Sequence, residues 1–246
     1  MPKSTHWDNK RLPEIDFLRG IAIIMMAVFH FMWDLSYFNG IHINLYSGFW
    51  GIFQKLTGGL FILLVGVSLT LSYSKSRDRS LRKFILRGLT VFCYGLIITI
   101  FSYLFARQSI VFFGILHFIG ISIMIATPFI RKRYLNMLLG IAALASAFWI
   151  GKIRLGFPWL VWVWDNHPVN TLDLYPLLPW IGVVFLGLFF GNVLYPEGRR
   201  RLKLAVPGSF SAISRPIRFL GRNSLLLYFL HLPVMFGLAY IISLIV

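Results

Sequence analysis

Three ionisable side chains lie within the first apolar segment of the chain. Arg19 and His30 are separated by ten residues, and Asp34 follows His30 by one helical turn. A helix rising about 1.5 Å per residue carries His30 roughly 16 Å beyond Arg19. Because an ionisable group that deep in a membrane is costly, His30 is predicted to be functional, with Asp34 orienting its imidazole. The alternative is a polar clasp between packed helices. Asp16 is predicted to hold Arg19 in a salt bridge.

The composition indicates what must position these residues. The chain has 246 residues, of which 58% are hydrophobic and 13% charged, and its mean hydropathy is +0.75. This is far too apolar for a soluble domain and predicts an all-α polytopic bundle of about seven transmembrane helices. We expect a single transmembrane domain over 1–246, with a cytoplasmic segment at 1–13, an extracytoplasmic loop at 152–175 and a basic cytoplasmic loop at 196–222. The seven apolar segments span 17–37, 49–73, 84–105, 110–130, 134–151, 176–195 and 223–245.

The basic residues are distributed unevenly between the linkers. Twenty of the 24 lysines and arginines fall in alternate linkers, within 3–19, 75–87, 131–133 and 199–222. By the positive-inside rule, this predicts a multi-pass protein of the plasma membrane with a cytoplasmic N-terminus and an external C-terminus. The formal net charge of +16 is therefore explained by topology, and no nucleic-acid partner is expected.

Several of these cations stand where apolar segments begin. Arg82, Lys83 and Arg87 lie at the cytoplasmic mouth of the third segment, and Arg218 and Arg222 precede the last. One interpretation is snorkelling and contact with anionic membrane lipids. The other is a phosphate-binding site.

Two further histidines are buried in apolar segments. His117 lies in the fourth segment, and His231 lies about 12 Å into the last one by the helical rise. The long outer connection and the start of the next segment carry Trp162, Asp173 and Trp180. Aromatic faces beside carboxylates suit a sugar, although an interfacial aromatic belt would use the same residue types.

Acyl transfer accounts for these features together. A channel would need rings of charge that are absent from the pattern. No metal is expected, because close His/Glu pairs are absent and the lone Cys93 excludes a thiolate cluster. An acyl-CoA donor would place its phosphates on the arginines and lysines. His30 would then take a proton from an acceptor amine or hydroxyl, or attack the thioester itself.

Four blocks in this order resemble the heparan-α-glucosaminide N-acetyltransferase catalytic family, in its short prokaryotic branch. The blocks are 14–20 with His30 and Asp34, 113–120, 173–180, and 221–231. The resemblance covers nearly the whole chain and implies transfer of an acetyl group from cytoplasmic acetyl-CoA to a glucosamine amine across the membrane. The spacing of Arg19 and His30 also resembles the broader membrane acyltransferase superfamily that O-acylates surface sugars.

The resemblance leaves the reactive histidine open between two positions. In the lysosomal branch an asparagine stands at the position of His30, and the critical histidine follows somewhat later. His42, in the first outer loop, is the candidate counterpart. We favour His30 as base or acyl carrier, with His42 on the acceptor side. His117, Asp173 and His231 are expected to line the acceptor side or support the reacting groups.

Two rival functions remain at this point. A proton-coupled transporter could use the intramembrane histidines and Asp34 as a relay. A non-enzymatic scaffold could pack by small residues and bind lipid by its basic loops. A homodimer is a further expectation, based only on small-residue pairs such as Gly187 and Gly191.

Overall fold

The computed structural model describes residues 12–39, 44–105, 110–150, 152, 160, 162–164, 171, 173–201 and 211–245. Within them the chain forms helices, and Phe113 pairs with Leu174 in an isolated parallel bridge. The all-α polytopic fold is therefore confirmed. The helices are α1 Pro13–Asn39, α2 Gly48–Lys75, α3 Leu81–Phe105, α4 Ile115–Ala126, α5 Arg133–Ala145, α6 Ala147–Ile150, α7 Leu177–Leu194, α8 Ser211–Arg222 and α9 Ser224–Ser243.

Six stretches of helix in the described residues are long and apolar enough to cross a membrane. They are α1, α2, α3, α5 with α6, α7, and α9. The fourth apolar segment forms a shorter element, in which α4 is followed by a 3-10 turn at Thr127–Phe129. Pro128 lies in that turn, so the helix ends earlier than the apolar pattern does.

The chain divides into two compact units, Met1–Phe61 with Leu204–Val246, and Ile62–Lys203. In the first unit, α8 crosses the start of α1 at two glycines. A Cβ atom on Gly221 would lie 1.7 Å from the carbonyl oxygen of Asp16, and one on Gly20 would lie 2.0 Å from that of Ile217. Only residues without a side chain allow the two backbones to approach so closely.

Helix α9 runs beside α1 in the same direction. Arg222, just before α9, contacts Asp16, and farther along His231 contacts His30 and Phe236 contacts Phe38. Four of the long apolar helices lie between α1 and α9 along the chain, together with the shorter apolar helix α4.

The second unit is also held by close backbone contacts. A Cβ on Gly66 in α2 would lie 2.2 Å from the carbonyl oxygen of Val184 in α7, and one on Gly187 would lie 2.3 Å from that of Leu63. The pairs α3 with α4 and α5 with α7 pack along their lengths. Close packing thus joins α2 to α7, α7 to α5 and α3 to α4 within this unit.

Candidate functional site

A buried carboxylate at the start of α1 is in contact with two arginines. Asp16 is 4% exposed, and its two oxygens face Arg19 Nη1 at 3.8 Å and Arg222 Nε at 3.3 Å. The predicted salt bridge between Asp16 and Arg19 is confirmed. Arg218, one turn before Arg222, donates through Nε to the carbonyl oxygen of Ser214 at 3.1 Å. Three of the predicted phosphate contacts are thus gathered at one end of the first unit.

Two of the three buried histidines meet between α1 and α9. The ring centroids of His30 and His231 are 4.9 Å apart, with the planes tilted by 59°. His30 is half-buried, whereas His231 is 6% exposed. The sequence predicted that each histidine lies deep within its own apolar segment, and the structure shows that the two rings are in contact.

Hydrogen bonding fixes the tautomer of His231. Its Nδ1 lies within hydrogen-bond distance of the carbonyl oxygen of Tyr228. Because a carbonyl can only accept, Nδ1 carries the hydrogen in the neutral ring and Nε2 is left as an acceptor. Nε2 is buried and has no hydrogen-bond partner among the described residues. Nε2 is therefore the ring atom that is open to accept a hydrogen bond.

Asp34 lies one turn beyond His30 on α1 and is 6% exposed. Its Oδ2 is buried and lacks a hydrogen-bond partner in the described part of the chain. No hydrogen bond or ion pair joins Asp34 to His30 within the same residues. That Asp34 orients His30 therefore stays a prediction, and the ring that His30 does contact is His231.

The third histidine belongs to the second unit and is surrounded differently. His117 is 2% exposed, and its Nε2 lies 3.3 Å from the Thr99 hydroxyl. That hydroxyl donates its only proton to the carbonyl oxygen of Val111 at 2.6 Å, so it accepts from His117 Nε2. The ring also packs on Gly95, where a Cβ would lie 2.9 Å from its Cγ. His117 thereby ties α4 to α3.

Asp173 closes the N-terminal end of α4. Its Oδ2 accepts a hydrogen bond from the backbone N–H of Ile115 at 2.8 Å, where a helix favours negative charge. Burial raises the pKa of Asp173 to about 6, against the opposing effect of that N–H group. Burial and the neighbouring Asp173 also raise the pKa of Tyr175.

The predicted outer aromatics assemble around this cap. The Trp162 ring lies 6.1 Å from that of Phe113, which stacks at 5.7 Å on His117. Trp180 contacts Tyr175 at 5.4 Å. The structure thus brings His117, Asp173, Trp162 and Trp180 into one neighbourhood of the second unit.

The predicted cationic mouth lies at the start of α3. Arg82, Lys83 and Arg87 are all exposed. Lys83 Nζ donates to Ser76 Oγ at 2.8 Å, and Arg87 Nη1 donates to Ser72 Oγ at 3.3 Å. These contacts with hydroxyl groups leave the three side chains positively charged. Their charge adds to the partial positive charge of the N-terminus of α3.

Two predictions need separate mention. His42 lies outside the described residues. In the described part of the chain, no group of three or more His, Cys, Asp or Glu residues is arranged to hold a metal ion. Sequence reasoning missed the contact between Asp16 and Arg222, and a pairing of charged residues across 206 positions has no local signal.

Comparison with known proteins identifies one family. A family model described as heparan-alpha-glucosaminide N-acetyltransferase, catalytic, matches residues 11–233. No curated protein and no solved structure matches the chain. The matched region includes both histidines of the pair, the Asp16 ion pairs and the cap on α4.

Proposed function

Because this chain belongs to the heparan-alpha-glucosaminide N-acetyltransferase catalytic family, we propose that it moves an acetyl group across a membrane. The donor is cytoplasmic acetyl-CoA, and the acceptor is an amino sugar or glycan on the extracytoplasmic side. The acceptor nitrogen forms a bond to the acetyl carbon while the carbon–sulfur bond of the thioester breaks. The proton lost by the amine balances the one that the departing thiolate takes up.

The observation that carries this proposal is the contact between His30 and His231. Transfer through an apolar helical bundle needs a group that can hold a proton or an acyl group away from water. The pair supplies two imidazoles 4.9 Å apart, one of them with a buried acceptor nitrogen. His30 acts as base or acyl carrier, and His231 receives the proton that His30 passes on.

The cations supply the donor site in this proposal. An acyl-CoA carries several phosphate charges, and arginine binds phosphate through two parallel N–H groups. Arg19, Arg218 and Arg222 in the first unit are one candidate set of contacts for these charges, and Arg82, Lys83 and Arg87 in the second unit are a separate candidate set. With these ends in the cytoplasm of a plasma-membrane protein, the N-terminus is cytoplasmic as the charge pattern predicts. Lipid contacts and a homodimer stay predictions.

The remaining predicted residues take supporting roles. His117 and Asp173 hold the outer end of α4 in place, with Trp162 and Trp180 beside them. His42 remains the alternative reactive histidine.

The test is acetyl transfer in sealed proteoliposomes. Acetyl-CoA is supplied on one side and glucosamine on the other, and N-acetylglucosamine is measured on the acceptor side. We expect His30→Ala to abolish transfer, and Met32→Ala, a change in the same helix, to retain it. Full transfer by His30→Ala with loss in His42→Ala would move the reactive role to His42. Proton-coupled glucosamine uptake without acetyl-CoA would instead establish the transporter.

A further inference from the structure

A cavity of about 290 Å³ opens at the far end of α1 in the first unit. Its volume lies at the lower end of the range for small-molecule pockets, which begins at about 300 Å³, so it could hold at most one small ligand. It was not anticipated from the sequence. Its lining comes from α1 and from the segment before α2, and consists of Trp33, Ser36, Tyr37, Asn44, Leu45 and Tyr46.

One wall of the cavity is a pair of parallel aromatic rings. Trp33 and Tyr37 stack with centroids 5.8 Å apart and planes only 5° from parallel. Tyr37 is 69% exposed and Tyr46 67%, whereas Leu45 is 4% exposed and belongs to the core. The cavity therefore combines a stacked aromatic pair and exposed tyrosine side chains with an apolar base.

The same cavity carries hydrogen-bonding groups. The Oδ1 atom of Asn44 accepts from the backbone N–H of Tyr46 at 3.2 Å, which fixes the amide and leaves Nδ2 as a donor. Ser36 adds a hydroxyl to the lining. Apolar faces with a few placed polar groups are the usual composition of a site for a small polar molecule.

We propose that this cavity binds one sugar ring of the acceptor, with the ring on the Trp33 and Tyr37 faces. A sugar presents C–H groups on its faces and hydroxyls at its edge, which matches aromatic walls with an amide and a hydroxyl beside them. An amino sugar in its ammonium form adds attraction to the aromatic faces. An interfacial aromatic belt also uses Trp and Tyr, but it does not require a concave site or a fixed amide donor.

The cavity lies on the same face of α1 as His30. His30, Trp33 and Tyr37 are spaced i, i+3 and i+7, which places them on one side of α1. By the helical rise, Trp33 lies about 4.5 Å and Tyr37 about 10.5 Å farther along the axis than His30. A ring in the cavity thus holds its amine on the side from which His30 can reach it. This inference rests on the proposed function and specifies where its acceptor binds.

The first experiment is direct binding, which does not depend on transfer. Saturation-transfer difference NMR is recorded with glucosamine and the purified protein in detergent, without acetyl-CoA. We expect signals from the sugar in the parent protein that weaken strongly in Trp33→Leu and Tyr37→Leu. Phe49→Leu is the matched control, because Phe49 is 70% exposed on α2 outside the cavity lining. Equal signals in all four proteins would overturn the proposal.

The second experiment separates this proposal from acetyl transfer itself. In a transferring protein, we expect each cavity variant to raise the KM for glucosamine about five- to tenfold and to leave the KM for acetyl-CoA unchanged. Unchanged acceptor KM values would overturn the cavity assignment while the proposed function stands. Sugar signals that depend on Trp33 in a protein without any transfer would support the cavity while the proposed function fails.

Discussion

Each of the two units contains a buried histidine, and the two histidines differ in their hydrogen bonding. In the second unit, His117 donates through Nε2 to Thr99 and packs against Gly95. In the first unit, His231 has a fixed Nδ1 but a buried Nε2 without a partner among the described residues. A buried polar atom normally finds a hydrogen bond. We propose that this unpartnered Nε2, next to a second imidazole, belongs to a reacting group, whereas the hydrogen-bonded Nε2 of His117 serves packing.

The largest expected effect comes from exchanging the two histidines for smaller residues. His231→Ala is expected to lower the rate of acetyl transfer by about 10²- to 10⁴-fold, which is the range of general acid–base catalysis. His117→Ala should mainly reduce thermal stability, because it removes a packing contact and a hydrogen bond. The transfer rate and the thermal unfolding midpoint in detergent are measured for each variant to check these two expectations. If both variants lost transfer rate to the same extent while keeping the same stability, the distinction between the two units would be wrong.

The second effect concerns one closely packed glycine in each unit. In Gly221→Ala the new methyl group meets the backbone of Asp16, which cannot yield without moving α8 from α1. We expect destabilisation of about 3 kcal/mol, at the upper end for overpacking. In Gly95→Ala the methyl group meets the ring of His117, which can shift, so the loss should be smaller. Thermal unfolding of the two variants gives the order, and a larger loss in Gly95→Ala would contradict it.

The third effect is a pH dependence of stability that arises from Asp173 in the second unit. The pKa of Asp173 is raised to about 6 from its ordinary value of 3.8, so the folded state holds this proton more tightly than the unfolded chain does. Stability should therefore fall as the pH rises from about 4 to about 6, and level off above that. Asp173→Asn keeps an acceptor for the Ile115 N–H group but cannot titrate. Unfolding midpoints across this pH range should show a shallower fall in the variant; parallel curves would assign the slope to another group.

The smallest effect is expected at the exposed cations of α3. Replacing Arg82, Lys83 and Arg87 together by alanine should raise the KM for acetyl-CoA about tenfold, and the penalty should shrink at high salt as exposed charges are screened. The KM for glucosamine should stay unchanged. A rise in both values, independent of salt, would indicate a folding defect rather than a lost phosphate contact.

The sequence predicted the helices well because apolar segments in a membrane protein are long and separated by charged linkers. The salt bridge between Asp16 and Arg19 was predictable for a similar reason, since three residues on a helix are neighbours. The pairing of His30 with His231 was not predictable. The sequence of each segment indicates how deep its histidine lies, but not which other segment packs beside it.

Other features were hidden by competing explanations. Asp173 is predicted to line the acceptor side or support the reacting groups, which stays a prediction. Its hydrogen bond to Ile115, 58 residues earlier, is indicated by no local pattern. Trp33 and Tyr37 belong to the first apolar segment, where aromatic residues are ordinary. Only the three-dimensional arrangement shows that they stack and line a cavity.

The pairing of the first and last long helices sets the order of events during synthesis. His30 emerges from the ribosome about 200 residues before His231, which at 5–20 residues per second is a delay of roughly 10 to 40 s. Until α9 is inserted, the first helix carries an imidazole without its partner. A chain stopped after α7 would hold most of the bundle and His30, but it would lack His231. The histidine pair, which we propose as the reactive centre, therefore forms only after α9 has been inserted.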